Sequence, residues 1–234
     1  MNAIEHTIIT MAQMNEQHSL GALAVNIPGA TAIFRSYKLD FCCGGQQSLA
    51  QACVDKGLDV DRVLEAIRAL DQIQKLPPKP TMSELIVHIL ERYHAVHRQQ
   101  LPELIRMARR VEAVHREHPH VPLGLAAQLE TMQEELLEHK AKEEAILFPL
   151  LHSGGHPMAK QPIEIMRHEH MKHVLQLEQL AKLTTQHQAP QGACNTWQAL
   201  YAGTARLADD LVEHIHLENN YLFVGFENAS PTAH

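Results

Sequence analysis

Residues 135–148 read Glu-Leu-Leu-Glu-His-Lys-Ala-Lys-Glu-Glu-Ala-Ile-Leu-Phe, and residues 210–223 read Asp-Leu-Val-Glu-His-Ile-His-Leu-Glu-Asn-Asn-Tyr-Leu-Phe. Seventy-five positions apart, Leu136, Glu138, His139, Glu143, Leu147 and Phe148 recur as Leu211, Glu213, His214, Glu218, Leu222 and Phe223. In each copy a His stands four residues before a Glu, a spacing that puts both side chains on one helix face, one turn apart. The His and Glu persist while their neighbours change: Lys140 faces Ile215 in the alignment, and Lys142 faces Leu217. A duplication whose histidines only face solvent does not account for that selectivity. Two imidazoles and two carboxylates kept in matching places are a metal-ligand inventory.

The duplication extends upstream. Residues 93–104 and 169–180 align at an offset of 76, pairing His94 with His170, His97 with His173, Gln100 with Gln176, Leu101 with Leu177 and Leu104 with Leu180. The unit is a helix carrying His-x-x-His, a connection, and a helix carrying His-x-x-x-Glu. Two such hairpins make an all-α, antiparallel four-helix bundle with pseudo-twofold symmetry. Two copies are too few for a solenoid. On the first helix His88, His94 and His97 all compete as ligands, and on the third His168, His170 and His173 do. The repeat pairs His94 with His170 and His97 with His173 equally well, so it does not choose between them.

Four histidines and two glutamates without a thiolate exceed what one structural zinc takes. They suit two metals bridged by the two carboxylates. Nitrogen and oxygen donors favour iron, manganese, zinc or copper(II) over copper(I) or an iron–sulfur cluster. With two His on each metal and two shared Glu, positions stay open for exogenous ligands. Glu135 and Asp210 each lie four residues before a candidate His. They are candidates to take the second ring N–H of His139 and His214 and fix the tautomer.

The remaining composition narrows the class. The chain has 234 residues, 45% apolar and only 4% aromatic, so an all-β sandwich or barrel is disfavoured. Its 18 histidines nearly equal its 20 lysines and arginines. The net charge of −7 and the lack of a basic run give no support to nucleic-acid binding. No stretch approaches the apolar length of a membrane span, and residues 1–20 lack the basic start and apolar core of a signal peptide. Four cysteines are too few for a secreted disulfide scaffold, which points to a reducing, cytoplasmic setting.

Along the chain, residues 1–18 read as an extension. Residues 19–76 read as a small helical domain, with helices at 30–37, 48–56 and 61–73 and a first short one capped by Ser19. Residues 77–81 belong to a proline-rich linker in which Pro77, Pro78 and Pro80 favour extended chain. The bundle takes residues 82–228, with helices at 83–114, 123–151, 163–185 and 196–223, and a tail covers 229–234. Pro102 falls inside the first bundle helix and is expected to kink or break it. A chain starting near Thr81 would carry all six candidate ligands and is expected to hold metal alone.

A second chemical element precedes the bundle: Asp40-Phe41-Cys42-Cys43-Gly44-Gly45. Neighbouring cysteines do not meet ordinary disulfide geometry. Two thiols in a glycine turn are expected to be exposed and partly ionised, able to bind a soft metal or react. The competing reading is a pair of small buried residues beside a turn. Cys53 and Cys194 read as core residues.

These motifs resemble a known family, the di-iron proteins for repair of iron centres, the group of the YtfE and ScdA proteins. The resemblance runs from about Leu20 to Phe223. It rests on residues 40–45, on residues 92–104 (Arg-Tyr-His-Ala-Val-His-Arg-Gln-Gln-Leu-Pro-Glu-Leu), and on the two His-x-x-x-Glu helices with their following Leu-Phe. It implies an N-terminal ScdA-type domain joined to a hemerythrin-like bundle. It implies two non-haem irons, oxo-bridged, held by His94, His139, His170 and His214 and bridged by Glu143 and Glu218, with His97 and His173 as neighbours. It implies a working role for Cys42 and Cys43 in restoring iron–sulfur clusters damaged by oxidative or nitrosative stress, with iron supply. The expected partners are damaged iron–sulfur proteins or cluster scaffolds, and nitric oxide or oxygen. Nitric oxide reduction at the di-iron site is the alternative activity, and a hemerythrin-type carrier or sensor is a third reading.

Overall fold

The computed structural model describes residues 14–27, 29–72, 80–152 and 157–228. All regular elements among them are helical, and the only extended pairing is a single antiparallel bridge between Ser19 and Ser48. The linker up to residue 79, the extension up to residue 13 and the tail from residue 229 lie outside the described residues. The chain divides into two compact units, Met1–Pro80 with Ile215–Gly225, and Thr81–His214 with Phe226–His234.

In the first unit, α1 spans Leu20–Asn26, α2 Ala30–Ser36, α3 Leu49–Lys56 and α4 Val60–Arg68, followed by a 3-10 turn at Ala69–Gln72. Local chemistry starts three of them. Ser19 accepts from Ala22 N–H, Ser48 from Gln51 N–H and Asp59 from Asp61 N–H, each side chain satisfying an orphan donor of the first turn. Gly57, with φ of 64°, closes α3 in the left-handed region. The two serine caps are tied together: Leu20 N–H donates to Gln47 O at 2.9 Å and Leu49 N–H to His18 O at 2.9 Å. Leu20, Leu23, Phe34, Phe41, Leu49, Val63 and Ile67 form the core.

Residues 215–225, which periodicity assigns to the last bundle helix, belong to this unit as well. Asn220 Nδ2 donates to Phe41 O at 3.1 Å, and Asn219 Nδ2 to Cys42 O at 3.0 Å. Tyr221 O–H donates to Val25 O at 2.9 Å, and the His216 ring packs edge-on against Phe41, centroids 5.0 Å apart. Gly21 and Gly45 make this approach feasible. A Cβ on either would sit 2.8 or 2.9 Å from Asn220 Oδ1, inside contact distance.

The second unit is the antiparallel bundle. Its first helix comprises α5 Met82–Ile89, a π turn at Leu90–His94 and α6 Ala95–Val114. Thr81 and Glu84 start it with reciprocal side-chain-to-backbone bonds. Pro102 sits within α6, which continues through it without a break. The second helix comprises α7 Leu125–Lys142, a π turn at Glu143–Leu147 and α8 Phe148–His152. The third is α9, Lys160–Leu183. The fourth is α10, Asn195–His216, continued by a π turn at Leu217–Leu222 and α11, Phe223–Asn228. α6 packs along α7, and α7 along α9. Leu101, Leu104, Leu129, Met132, Leu136, Leu180, Trp197, Leu200, Tyr201 and Leu207 fill the interior. Gly203 lets α10 approach α6, since a Cβ there would meet Leu104 Cδ2 at 2.5 Å.

Candidate metal centre

The six residues His94, His139, Glu143, His170, His214 and Glu218 are all buried, none more than 1% exposed. They form two four-donor groups, His94–Glu143–His214–Glu218 and His139–Glu143–His170–Glu218, each with its ligand atoms within 4.8 Å of one another. Both carboxylates belong to both groups. His94 Nε2 lies 3.2 Å from His214 Nε2 and 3.4 Å from Glu143 Oε2. His139 Nε2 lies 3.0 Å from Glu143 Oε1 and 3.2 Å from His170 Nε2. His88 and His168, the other candidates by spacing, are in neither group.

Three of these ligand positions sit in π turns. His94 ends the turn Leu90–His94, Glu143 opens the turn Glu143–Leu147, and Glu218 lies in the turn Leu217–Leu222. A π turn inserts one extra residue into the helix and is common at functional sites. It rotates the positions beyond it relative to a regular helix, something a 3.6-residue pattern does not register.

The tautomers show what the donors want between them. His94 Nδ1–H donates to Glu144 Oε1 at 2.7 Å, and His139 Nδ1–H donates to Glu169 Oε2 at 2.8 Å. An ionised carboxylate only accepts, so the proton sits on Nδ1 and Nε2 keeps its lone pair. That lone pair then faces a Glu143 oxygen at 3.0 or 3.4 Å. Two acceptors so close in a buried site repel unless a cation lies among them. Burial holds His214 neutral, well below the usual imidazole pKa, which keeps it available as a ligand. The donor set fits a metal cation.

The outer carboxylates are Glu144 and Glu169, not Glu135 and Asp210. Glu135 accepts from Gln176 Nε2 at 2.8 Å, and Asp210 pairs with Arg92 at 2.6 Å. The reason is directional: a carboxylate one turn upstream on the same helix points back along that helix, whereas the ring N–H points across to the next one. Each outer acid also meets a fixed cation, Arg98 Nη2 at 2.7 Å for Glu144 and Lys142 for Glu169. Burial alone would raise the Glu144 carboxyl, but His94 and Arg98 hold it below its ordinary value. The His139 hydrogen bond, with Lys142, brings Glu169 down to about 2. Sequence held one signal for them: each is an extra acid beside a ligand, Glu143-Glu144 and Glu169-His170. Glu169→Gln, which keeps shape but weakens the acceptor, is expected to lower metal affinity about tenfold to a hundredfold. Chelator competition measures this, and unchanged affinity would leave Glu169 as a partner of Lys142 alone.

His97 and His173 are buried beside the groups without belonging to them. Among the described residues neither ring nitrogen of His97 has a hydrogen-bond partner, and Nε2 of His173 has none. A buried polar atom left so costs about 1–3 kcal/mol. Lys140 is also fully buried, one residue past His139. The sequence offered no reason to expect a buried lysine there.

Within the first unit, the cysteine turn is organised by Asp40. Its Oδ1 accepts from Cys42 Sγ at 3.2 Å and from Cys43 N–H at 2.9 Å. Both thiols are free. The expectation of two exposed, partly ionised thiols does not hold for Cys42. It is buried, and Cys43, then burial, then Asp40 push its thiol well above the usual pKa. Cys43 is half-buried, within 3.8 Å of Asn219 Nδ2. Asn219 directly follows Glu218 in the chain. Cys194, read from sequence as core, is exposed at the start of α10 and lies 3.2 Å from His115 Nε2, whereas Cys53 is buried. A maleimide is therefore expected to modify Cys43 and Cys194 well before Cys42 and Cys53. Peptide mass spectrometry at short times reads the order, and a faster Cys42 would contradict this burial.

A helical bundle with two carboxylate-linked His/Glu groups belongs to the hemerythrin class of cation-binding proteins. The hemerythrin HHE cation binding domain family matches residues 85–224, and the ScdA_N family, described as a domain of unknown function, matches residues 16–71. The iron–sulfur cluster repair protein YtfE of Dickeya chrysanthemi (strain Ech1591) is 48% identical over 208 residues, covering 88% of this chain and 94% of that protein. YtfE of Yersinia pseudotuberculosis serotype IB (strain PB1/+) is 50% identical over 214 residues with the same coverage, and that of Yersinia pestis (strain Pestoides F) is 49% identical. The chain belongs to the family of these YtfE proteins, an ScdA_N domain joined to a hemerythrin-like bundle. No described helix is long and apolar enough to cross a membrane.

Proposed function

We propose that this protein repairs damaged iron–sulfur clusters and that its bundle holds two non-haem irons. The observation that carries the reading is the pair of four-donor groups sharing Glu143 and Glu218. His94 and His214 would serve one iron and His139 and His170 the other, with both carboxylates bridging. Glu144 and Glu169 hold the Nδ1 protons of His94 and His139, so that Nε2 is the donor to metal. Iron held by nitrogen and oxygen donors with positions left open supplies both redox chemistry and exchangeable metal. The relatives at about half identity are named as repair proteins, which favours this use of the site.

Cys43 is the thiol we assign to exchange with a partner, because it is the more exposed of the pair, whereas Cys42 is buried. The partners are damaged iron–sulfur proteins or their scaffolds, and free thiols suit the cytoplasm. The open positions favour a second reading, reduction of nitric oxide at the same centre. Anaerobic purification with iron analysis, then parallel assays of cluster rebuilding on an apo scaffold and of nitric oxide consumption, tests both. Repair without nitric oxide turnover selects the first reading. Turnover without repair overturns it.

A further inference from the structure

The duplication is inexact beside the ligands. Glu169, which takes the His139 ring proton, and Lys142, which pairs with Glu169, correspond in the repeat to Tyr93 and Leu217. Neither charge is kept. Those two positions therefore cannot hold His214, the counterpart of His139, in the same way.

An aromatic ring stands there instead. Tyr93 is 5% exposed, and its ring lies parallel to the His214 imidazole, with 7° between planes and 5.4 Å between centroids. That separation falls in the range of offset aromatic stacks. The Tyr93 ring is itself held. The Arg92 guanidinium carbon lies 5.0 Å from its centroid, close enough for cation–π attraction. Arg92 is fixed in turn by two bonds to Asp210, from Nη1 to Oδ2 at 3.2 Å and from Nη2 to Oδ1 at 2.6 Å. A bidentate pair sets direction as well as distance. Arg92 and Tyr93 belong to the π turn that ends at His94, and Asp210 lies one turn before His214 on α10. The contacts thus close a loop: Asp210 to Arg92, Arg92 to Tyr93, Tyr93 to His214, and His214 back along one helical turn to Asp210. An imidazole aiming Nε2 at a metal keeps one soft torsion, rotation of the ring about its Cβ–Cγ bond. A hydrogen bond at Nδ1 fixes that angle for His139, and a parallel ring face fixes it for His214.

We propose that Tyr93 is the positioning residue of His214: its ring face, clamped by Arg92 and Asp210, does for that ligand what the Glu169 carboxylate does for His139. The proposal rests on the two-metal reading. It gives an uncharged support to a centre whose other supports, Glu144 and Glu169, are carboxylates. The two halves then answer differently to one kind of substitution. Neutralising Glu169 weakens metal binding, whereas removing the Tyr93 hydroxyl costs little, because the face and not the polar tip meets the ligand.

Iron-loaded full-length protein is titrated with a competing chelator, and the metal-free protein, carbon-13-labelled at histidine, is followed by NMR. Tyr93→Met removes the flat face with a modest loss of volume. It is expected to weaken one iron about threefold to tenfold, the range of one aromatic stack, and the other less than about twofold. Tyr93→Phe should stay within about twofold of wild type for both. Asp210→Asn leaves the ring in place but loosens Arg92, and should fall between the two. In the metal-free protein the His214 ring protons should carry an upfield ring-current shift that Tyr93→Phe keeps and Tyr93→Met loses. Circular dichroism checks the fold of each variant. Equal weakening of both irons in Tyr93→Met would make Tyr93 a packing residue and overturns the proposal. So does unchanged affinity in that variant, and so does Tyr93→Phe binding as weakly as Tyr93→Met, which would place the effect in the hydroxyl. Should Tyr93→Met not fold, the other two variants decide: loss of the shift in Tyr93→Phe, or unchanged affinity in Asp210→Asn, overturns it. A wild-type protein that binds no iron fails the two-metal reading, while the NMR shift still reports whether Tyr93 holds the His214 ring.

Discussion

Changing both shared carboxylates, Glu143→Ala with Glu218→Ala, is expected to take the protein from the proposed two irons per chain to well under one. Each donor group has four members, and Glu143 and Glu218 are half of both. Removing them leaves two histidines per metal, too few donors to hold a hard or intermediate cation with high affinity. The single variants should be intermediate, because one bridge survives in each. Loss also leaves His94 Nε2 and His139 Nε2 without the oxygens they face at 3.4 and 3.0 Å. The helices should remain, since leucine and aromatic packing makes up the bundle interior. Metal analysis after anaerobic loading reads the effect, with circular dichroism as the folding control. Two tightly held irons in the double variant would falsify the centre as drawn.

Starting the chain at Thr81 is expected to weaken iron binding by at least about tenfold, the effect typical of losing supports behind a ligand. This reverses what ligand positions in the sequence suggest. All six lie past the proline-rich segment, so a bundle alone looks complete. Yet residues 215–225, with Glu218 among them, belong to the compact unit built on the N-terminal helices. Asn219 and Asn220 bond to the carbonyls of Cys42 and Phe41, Tyr221 bonds to Val25 O, and His216 packs on Phe41. Truncation strips those partners from the π turn that carries Glu218. Its longer-spaced hydrogen bonds make it a poor helix to leave unsupported. Iron content and chelator-competition affinity of the truncated chain decide the matter. Full retention would show that the turn holds its shape without the first unit.

The same segment marks where sequence reading stops. Helix existence was legible because apolar residues recur with a local period. Val63 and Ile67 in α4, or Leu101, Leu104 and Ala108 in α6, announce their faces within a few residues. Asn219 and Asn220 fit that period badly, and their partners lie 177 and 179 positions upstream. Nothing in their neighbourhood says that they leave one core for another. Cys194 misled for a related reason. A cysteine is most often buried, but this one sits at a helix start, where exposure depends on packing beyond the helix.

By itself the sequence determined the kind of donors and their helical placement. A duplicated His-x-x-x-Glu carries its meaning locally, since four residues span one turn wherever the helix lies. Only the tertiary structure decided which histidines meet and how they are held. His94 rather than His97 turns its Nε2 toward Glu143, and the acids that hold the ring protons, Glu144 and Glu169, come from other helices, 50 and 30 residues away. A ring N–H reaches sideways out of its own helix, so its partner is fixed by which helix packs there and not by any local period. The π turns at three ligand positions belong to the same class, because they shift ligand direction without changing residue type or spacing.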